Sequence, residues 1–215
     1  MKRFLSFLTM LALLYSLCGC EIYLRFPEPT YGFAREVPEA EQNLRMLVVQ
    51  TAESWLGCNE KDGSFQPIID LYNSHEPLAV GYVMQYSDQW CAAFVSAVAI
   101  GCELTDIIPT ECGCQRQIAL FEALGRWEEN DDYLPLPGDV IFYATKNTAE
   151  ENTAWSNHVG IVVGTYGNKI KVIEGNYNES VAYHIVNAHD VTIRGYGLPD
   201  YVSAAEADTP PDLQE

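Results

Sequence analysis

One stretch near the middle of the chain constrains the fold more than any other. Trp90 to Ile100 reads Trp-Cys-Ala-Ala-Phe-Val-Ser-Ala-Val-Ala-Ile. A helix that is apolar on nearly all sides offers no face to water. It must lie inside, with the rest of the chain wrapped around it. Asp88 stands where an N-cap would, which puts Gln89, Trp90 and Cys91 in the first turn.

The sequence on either side differs in its period. Before the central stretch, Leu44, Leu47, Val48, Ala52, Trp55 and Leu56 recur at helical spacing, predicting an amphipathic helix from Glu39 to Leu56 that Gly57 ends. A short second helix is expected at Ile68 to Tyr72, a loop from Glu76 to Ser87, and a further helix at Gln115 to Leu124. Beyond these, the period becomes that of strands. Leu136-Pro137-Gly138-Asp139 is a turn leading into Val140 to Tyr143. His158 to Val163 and Lys169 to Glu174 form a hairpin about Tyr166-Gly167-Asn168, and Val181 to Val186 and Val191 to Tyr196 are later strands. Helices first and antiparallel strands after them give an α+β domain.

The ends are of another character. Lys2 and Arg3 precede the apolar run Phe4 to Leu17, too short for a membrane span and suited to an export signal. Leu17-Cys18-Gly19-Cys20 resembles a bacterial lipobox, making Cys20 the lipidation candidate. The organisation expected is a signal peptide of lipoprotein type over 1–20, a linker over 21–38, a domain over 39–203 and a disordered acidic tail over 204–215. The location is then extracytoplasmic, anchored to the cell membrane or secreted. A formal net charge of -18 excludes nucleic acid as a partner. Export permits disulfides, and Cys112 or Cys114, too close to bridge each other, has Cys58 or Cys102 as alternatives. The C-x-C has no second pair of ligands at zinc spacing, so no metal is expected, nor any cofactor.

Three places carry chemistry. Cys91 near a helix start meets unpaired N–H groups and the positive end of the helix dipole, which favour thiolate. His158 opens an apolar strand, and Gly160 and Gly164 on its face remove bulk, which would let an element such as the Cys91 helix approach. Glu174 shares the apolar phase of its strand with Ile170 and Val172, where a carboxylate needs a partner. If Thr165 faces Lys169, then Gly160 faces Glu174 and His158 faces Asn176, so Glu174 and Asn176 are the groups able to orient the imidazole. The result is a nucleophile, a base and an orienting group. The oxyanion donor is the backbone N–H of Cys91 or the side chain of Gln85, six residues before it.

These pieces, in this order, resemble the CHAP family of cysteine- and histidine-dependent amidohydrolases and peptidases. The resemblance is carried by Trp90-Cys91-Ala92, Pro137-Gly138-Asp139-Val140, His158-Val159-Gly160-Ile161-Val162, Glu174-Gly175-Asn176 and Ile193-Arg194-Gly195-Tyr196-Gly197. It implies a papain-like fold with N-terminal helices packed on an antiparallel sheet. It also implies Cys91 as nucleophile, His158 as base, and Glu174 with Asn176 as orienting groups. The usual substrate would be peptidoglycan, cut at a peptide crosslink or at the muramoyl–alanine amide. Two other readings use the same fold: a catalytically inert surface or binding lipoprotein, and an acyl or peptidyl transferase working through the same thioester. The sequence lacks the calcium-loop spacing of some relatives, Glu60-Lys61-Asp62-Gly63 being too sparse.

Overall fold

A computed structural model of the protein describes residues 30–144 and 155–207. The expected export signal, with Cys20, and the last eight residues lie outside them. The apolar centre forms helix as its composition demands. Helix α3, Cys91–Gly101, has every residue from Cys91 to Ala99 buried. It is enclosed by α1 (Glu39–Glu53), α2 (Gln66–Asn73) and α4 (Cys114–Ala123), and it packs on the sheet. The loop expected over 76–87 contains one short 3₁₀ turn, Ala79–Gly81.

The sheet is formed by β1 (Trp127–Glu128), β2 (Val140–Tyr143), β3 (His158–Tyr166), β4 (Lys169–Tyr177), β5 (Ser180–Asn187) and β6 (Ile193–Gly197), in the order β1-β6-β2-β3-β4-β5. Every pairing is antiparallel. Strands β2 to β4 are buried on both faces, which explains their near-continuous apolar sequence. Val140, Phe142, Val159, Ile161 and Ile173 face the helical core. Ile141, Tyr143, Val162, Ile170 and Val172 form a second core with Val186 and Tyr196.

The β3–β4 hairpin turns in two residues, not three: Tyr166 faces Lys169 across Gly167-Asn168. That start is one residue out from the expected register. A bulge at Val163, between the Val162 and Gly164 pairs, then restores it, so Ile161 faces Ile173 and Gly160 lies against Glu174. The register therefore matches expectation in the half that carries the chemistry.

The turn before β2 is held by buried charge. Arg45 of α1 donates to Glu41 Oε1 (2.7 Å), to Asp139 Oδ1 (2.8 Å) and to the Pro137 carbonyl (3.0 Å), and its guanidinium covers the Tyr201 ring. Asp139 also accepts from Tyr133 Oη and from the Leu136 amide. Gly138 has φ +84°, and a Cβ there would lie 2.7 Å from Tyr201 Oη, so both backbone and space require glycine.

Several expectations need correction. Asp88 does not cap α3. Trp90 is the N-cap residue and makes no side-chain capping bond, while Asp88 Oδ2 accepts from the Gln85 amide and Tyr82 Oη within the preceding loop. The described end of the linker is paired: Gly32 and Thr165 exchange backbone hydrogen bonds of 3.1 and 2.9 Å. The acidic tail expected from Ala204 begins as helix, because α5 runs Tyr201–Ala207, with Asp200 accepting from Ser203 and Tyr201 buried. No pairing with Cys58 or Cys102 forms: all five described cysteines are free, and Cys102 Sγ lies 3.2 Å from Thr51 Oγ1.

Candidate active site

Cys91 is the first residue of α3, where amide groups lack intrahelical acceptors. Because Asp88 bonds elsewhere, the N-cap position supplies no side-chain acceptor to these donors. The helix comes close to the sheet at Gly175. A Cβ there would lie 2.4 Å from Phe94 Cβ and 2.9 Å from Trp90 Cζ3. The glycines expected to admit the helix serve other neighbours. Gly160 makes room for the Glu174 side chain (2.6 Å to Cγ), and Gly164 for the backbone at Tyr31-Gly32 (2.6 Å to the Gly32 nitrogen).

His158 opens β3, its ring stacked on Tyr143 (5.9 Å, 29°). Its Nε2 lies 2.9 Å from Glu174 Oε2, so Nε2 carries the proton and Nδ1 is left for Cys91. Glu174 is fully buried, and its second oxygen, Oε1, is 3.1 Å from His184 Nδ1. One carboxylate thus serves two imidazoles. His184 was not foreseen. It stands on β5 opposite Val172, beside Glu174 on the same face, stacked on Tyr177 (5.0 Å, 18°).

The electrostatics follow from these contacts. The Cys114 thiol, hydrogen bonding to the Cys91 sulfur, holds the Cys91 pKa well below its ordinary value against the opposing effect of burial, and His158 adds to the depression. Burial works against a charged His158, but Cys91 and Glu174 together outweigh it and raise its pKa to about 10. Burial would likewise raise Glu174, yet the two imidazoles hold it below the usual carboxylate range. His184 is raised, first by its bond to Glu174. The site is arranged as thiolate beside imidazolium, with a buried anion behind.

Asn176 does not orient His158. A bulge between Glu174 and Tyr177 and a φ of +56° turn it away, a conformation Asn tolerates better than most residues. Its amide meets the start of α3: with the oxygen accepting from the Trp90 N–H (3.2 Å), the nitrogen donates to Glu60 Oε1 (3.2 Å). Glu60 also accepts from Trp90 Nε1 (2.9 Å). Asn176 therefore fastens β4 to the turn that presents Cys91. Gln85 is exposed, and its Nε2 donates to the Val83 carbonyl (3.0 Å). In this structure Gln85 is thus engaged within its own loop. Among the described residues no group of three His, Cys, Asp or Glu side chains is placed to hold a metal ion.

A helix-start cysteine, a strand-start histidine and a buried carboxylate on an α+β scaffold define the papain-like class of thiol centre. Residues 81–176 match the family model of the CHAP domain. The match takes in Cys91, His158 and Glu174 and stops short of His184. No curated protein and no solved structure matches the chain.

Proposed function

We propose that the protein is an exported cell-wall hydrolase that cuts amide or peptide bonds of peptidoglycan through Cys91. The observation that carries the reading is the hydrogen-bonded Cys91–His158 pair, with a fully buried Glu174 2.9 Å from His158 Nε2. The thiolate attacks the scissile carbonyl carbon, and the oxyanion that forms is met by N–H groups of the first turn of α3. His158 gives the Nδ1 proton to the leaving amine, leaving a thioester on Cys91. The neutral ring then takes a proton from water, whose oxygen attacks the thioester and releases the acid. Glu174 holds the ring with Nε2–H inward and Nδ1 outward throughout. CHAP domains suggest peptidoglycan hydrolase or amidase-like activity, and the first twenty residues support export and lipid attachment at Cys20.

The test is mass mapping of products from purified wall digested with the full chain. New free amines at crosslink positions identify an endopeptidase, and intact stem peptides released from glycan identify a muramoyl–alanine amidase. Peptides joined to an added amine would instead identify a transferase, and an unaltered wall would leave an inert binding module.

A further inference from the structure

The nucleophile has a second thiol beside it. Cys91 Sγ and Cys114 Sγ are 3.6 Å apart, both are buried, and each belongs to the first residue of its helix. The neighbourhood of Cys114 is held by a network of hydrogen bonds. Ser96 Oγ of α3 donates to the Glu111 carbonyl (2.7 Å) and accepts from its amide (2.8 Å). The Glu111 carboxylate accepts from the amides of Cys112 and Gly113 and from Arg116. Gln115 Oε1 accepts from the Ser156 amide (3.0 Å), which ties the start of α4 to the segment entering β3. Cys112, two residues earlier, turns the other way, its Sγ 3.4 Å from an Arg116 guanidinium nitrogen. The hydrolase reading gives this arrangement no task beyond a hydrogen bond.

We propose that Cys114 is a resolving cysteine, and that a hydroperoxide converts the site reversibly to a Cys91–Cys114 disulfide in which the nucleophile is masked. The Cys91 thiolate attacks the terminal peroxide oxygen, forming an S–O bond and breaking O–O, to give Cys91 sulfenic acid and hydroxide from hydrogen peroxide or alkoxide from an alkyl hydroperoxide. The Cys114 sulfur then attacks the Cys91 sulfur. An S–S bond forms, the S–O bond breaks, and the thiol proton leaves with the hydroxyl as water. Cys91 is oxidised by two electrons, and the peroxide is reduced. The sulfurs must close from 3.6 Å to about 2.05 Å. Two equivalents of thiol reductant reverse the step. Charged groups around the pair are His158 with Glu174 on the sheet side and Arg116 with Glu111 on the α4 side. Of these, His158 favours thiolate at Cys91, the sulfur that must react first.

The proposal rests on Cys91 being the reactive thiol, and its test does not need wall cleavage. Full-chain protein is exposed to hydrogen peroxide, remaining thiols are alkylated under denaturing conditions, and peptides are mapped by mass. Wild type should lose two alkylatable thiols and yield a peptide joining Cys91 to Cys114, both reversed by dithiothreitol. Cys112→Ser should close the same bond. Cys114→Ser should lose the crosslink and carry Cys91 on to sulfinic acid, which dithiothreitol does not reverse. Should Cys114→Ser fail to fold, the wild-type peptide map decides alone. A crosslink from Cys91 to Cys112, Cys102 or Cys58, or irreversible oxidation of Cys91 in wild type, would overturn the proposal. If the crosslink forms while the wall is left uncut, the hydrolase reading fails and this one stands.

Discussion

Glu174→Gln removes one charge from the centre of the site and little else. The carboxylate is fully buried and accepts from His158 at 2.9 Å and His184 at 3.1 Å. A Gln amide has one oxygen, so one of the two rings would face an NH₂ group and have to present a bare nitrogen. A hydrogen bond to a charged partner contributes about 1.5–3 kcal/mol, and about 1.36 kcal/mol is one pKa unit. His158 should therefore fall by roughly one to two units from about 10. The Cys91 thiol rises in step, because each charge stabilises the other. Near neutral pH the population of thiolate with imidazolium should drop, and turnover should drop by about tenfold to a hundredfold. The assay is the rate of iodoacetamide reaction at Cys91 against pH. In Glu174→Gln the midpoint should move up toward the ordinary thiol value, whereas Asn176→Ala should leave it in place. Stability gives a second readout. The raised His158 pKa contributes stability in full below 6.5 and loses it as pH rises through about 10, while the lowered Glu174 pKa contributes above 4.5 and loses it on acidification below that. The wild-type advantage in thermal midpoint should peak between those two values, near pH 4.5 to 6.5. An unmoved alkylation profile in Glu174→Gln, with Asn176→Ala shifted, would refute the assignment of the orienting role.

Other perturbations test separate parts of the site. Cys91→Ser should abolish wall hydrolysis and change the thermal midpoint little, while Cys58→Ser and Cys102→Ser keep activity; turnover by Cys91→Ser near the wild-type level would remove Cys91 from the chemistry. His184→Ala takes away one of the groups holding Glu174 ionised, so the acid limb of the pH–rate profile should move to higher pH and kcat fall several-fold at constant KM. A raised KM at unchanged kcat would instead assign His184 to substrate binding. Gly175→Val drives a Cβ to 2.4 Å from Phe94 Cβ, and overpacking of this kind destabilises by about 1–3 kcal/mol or more, to be read as a lowered thermal midpoint. Cys20→Ala should end fatty-acid labelling and release the protein from membranes; a wild-type protein that takes up no label would contradict lipid anchoring.

Much of the site was legible because its signals are local. Cys91 sits at the head of an apolar stretch, and Glu174 interrupts the apolar phase of a strand. The hairpin register held at Gly160 and Glu174 only because the Val163 bulge offset a loop one residue shorter than expected. What escaped has its cause in long-range geometry. His184 reads as an isolated histidine on an amphipathic strand, and pairing β5 with β4 is needed to bring it beside Glu174. Cys114 meets Cys91 from a separate helix, which no spacing along the chain announces. Asn176 was misassigned because regular strand alternation was extended through a bulge, although an Asn just after glycine is itself a sign of backbone in the left-handed region.

The Arg45–Asp139 clamp carries a consequence for when this molecule can come into being. The two partners are separated by 94 positions, and both are buried. Before Asp139 arrives the guanidinium has only Glu41 of its own helix as a charged partner, so α1 reaches its full set of buried contacts only once the turn before β2 has been made. β2 in turn lies between β3 and β6, the last strand of the sheet. The sheet that α1 clamps is thus closed by residues from the far end of the chain, and its seat is completed by the strand that comes last.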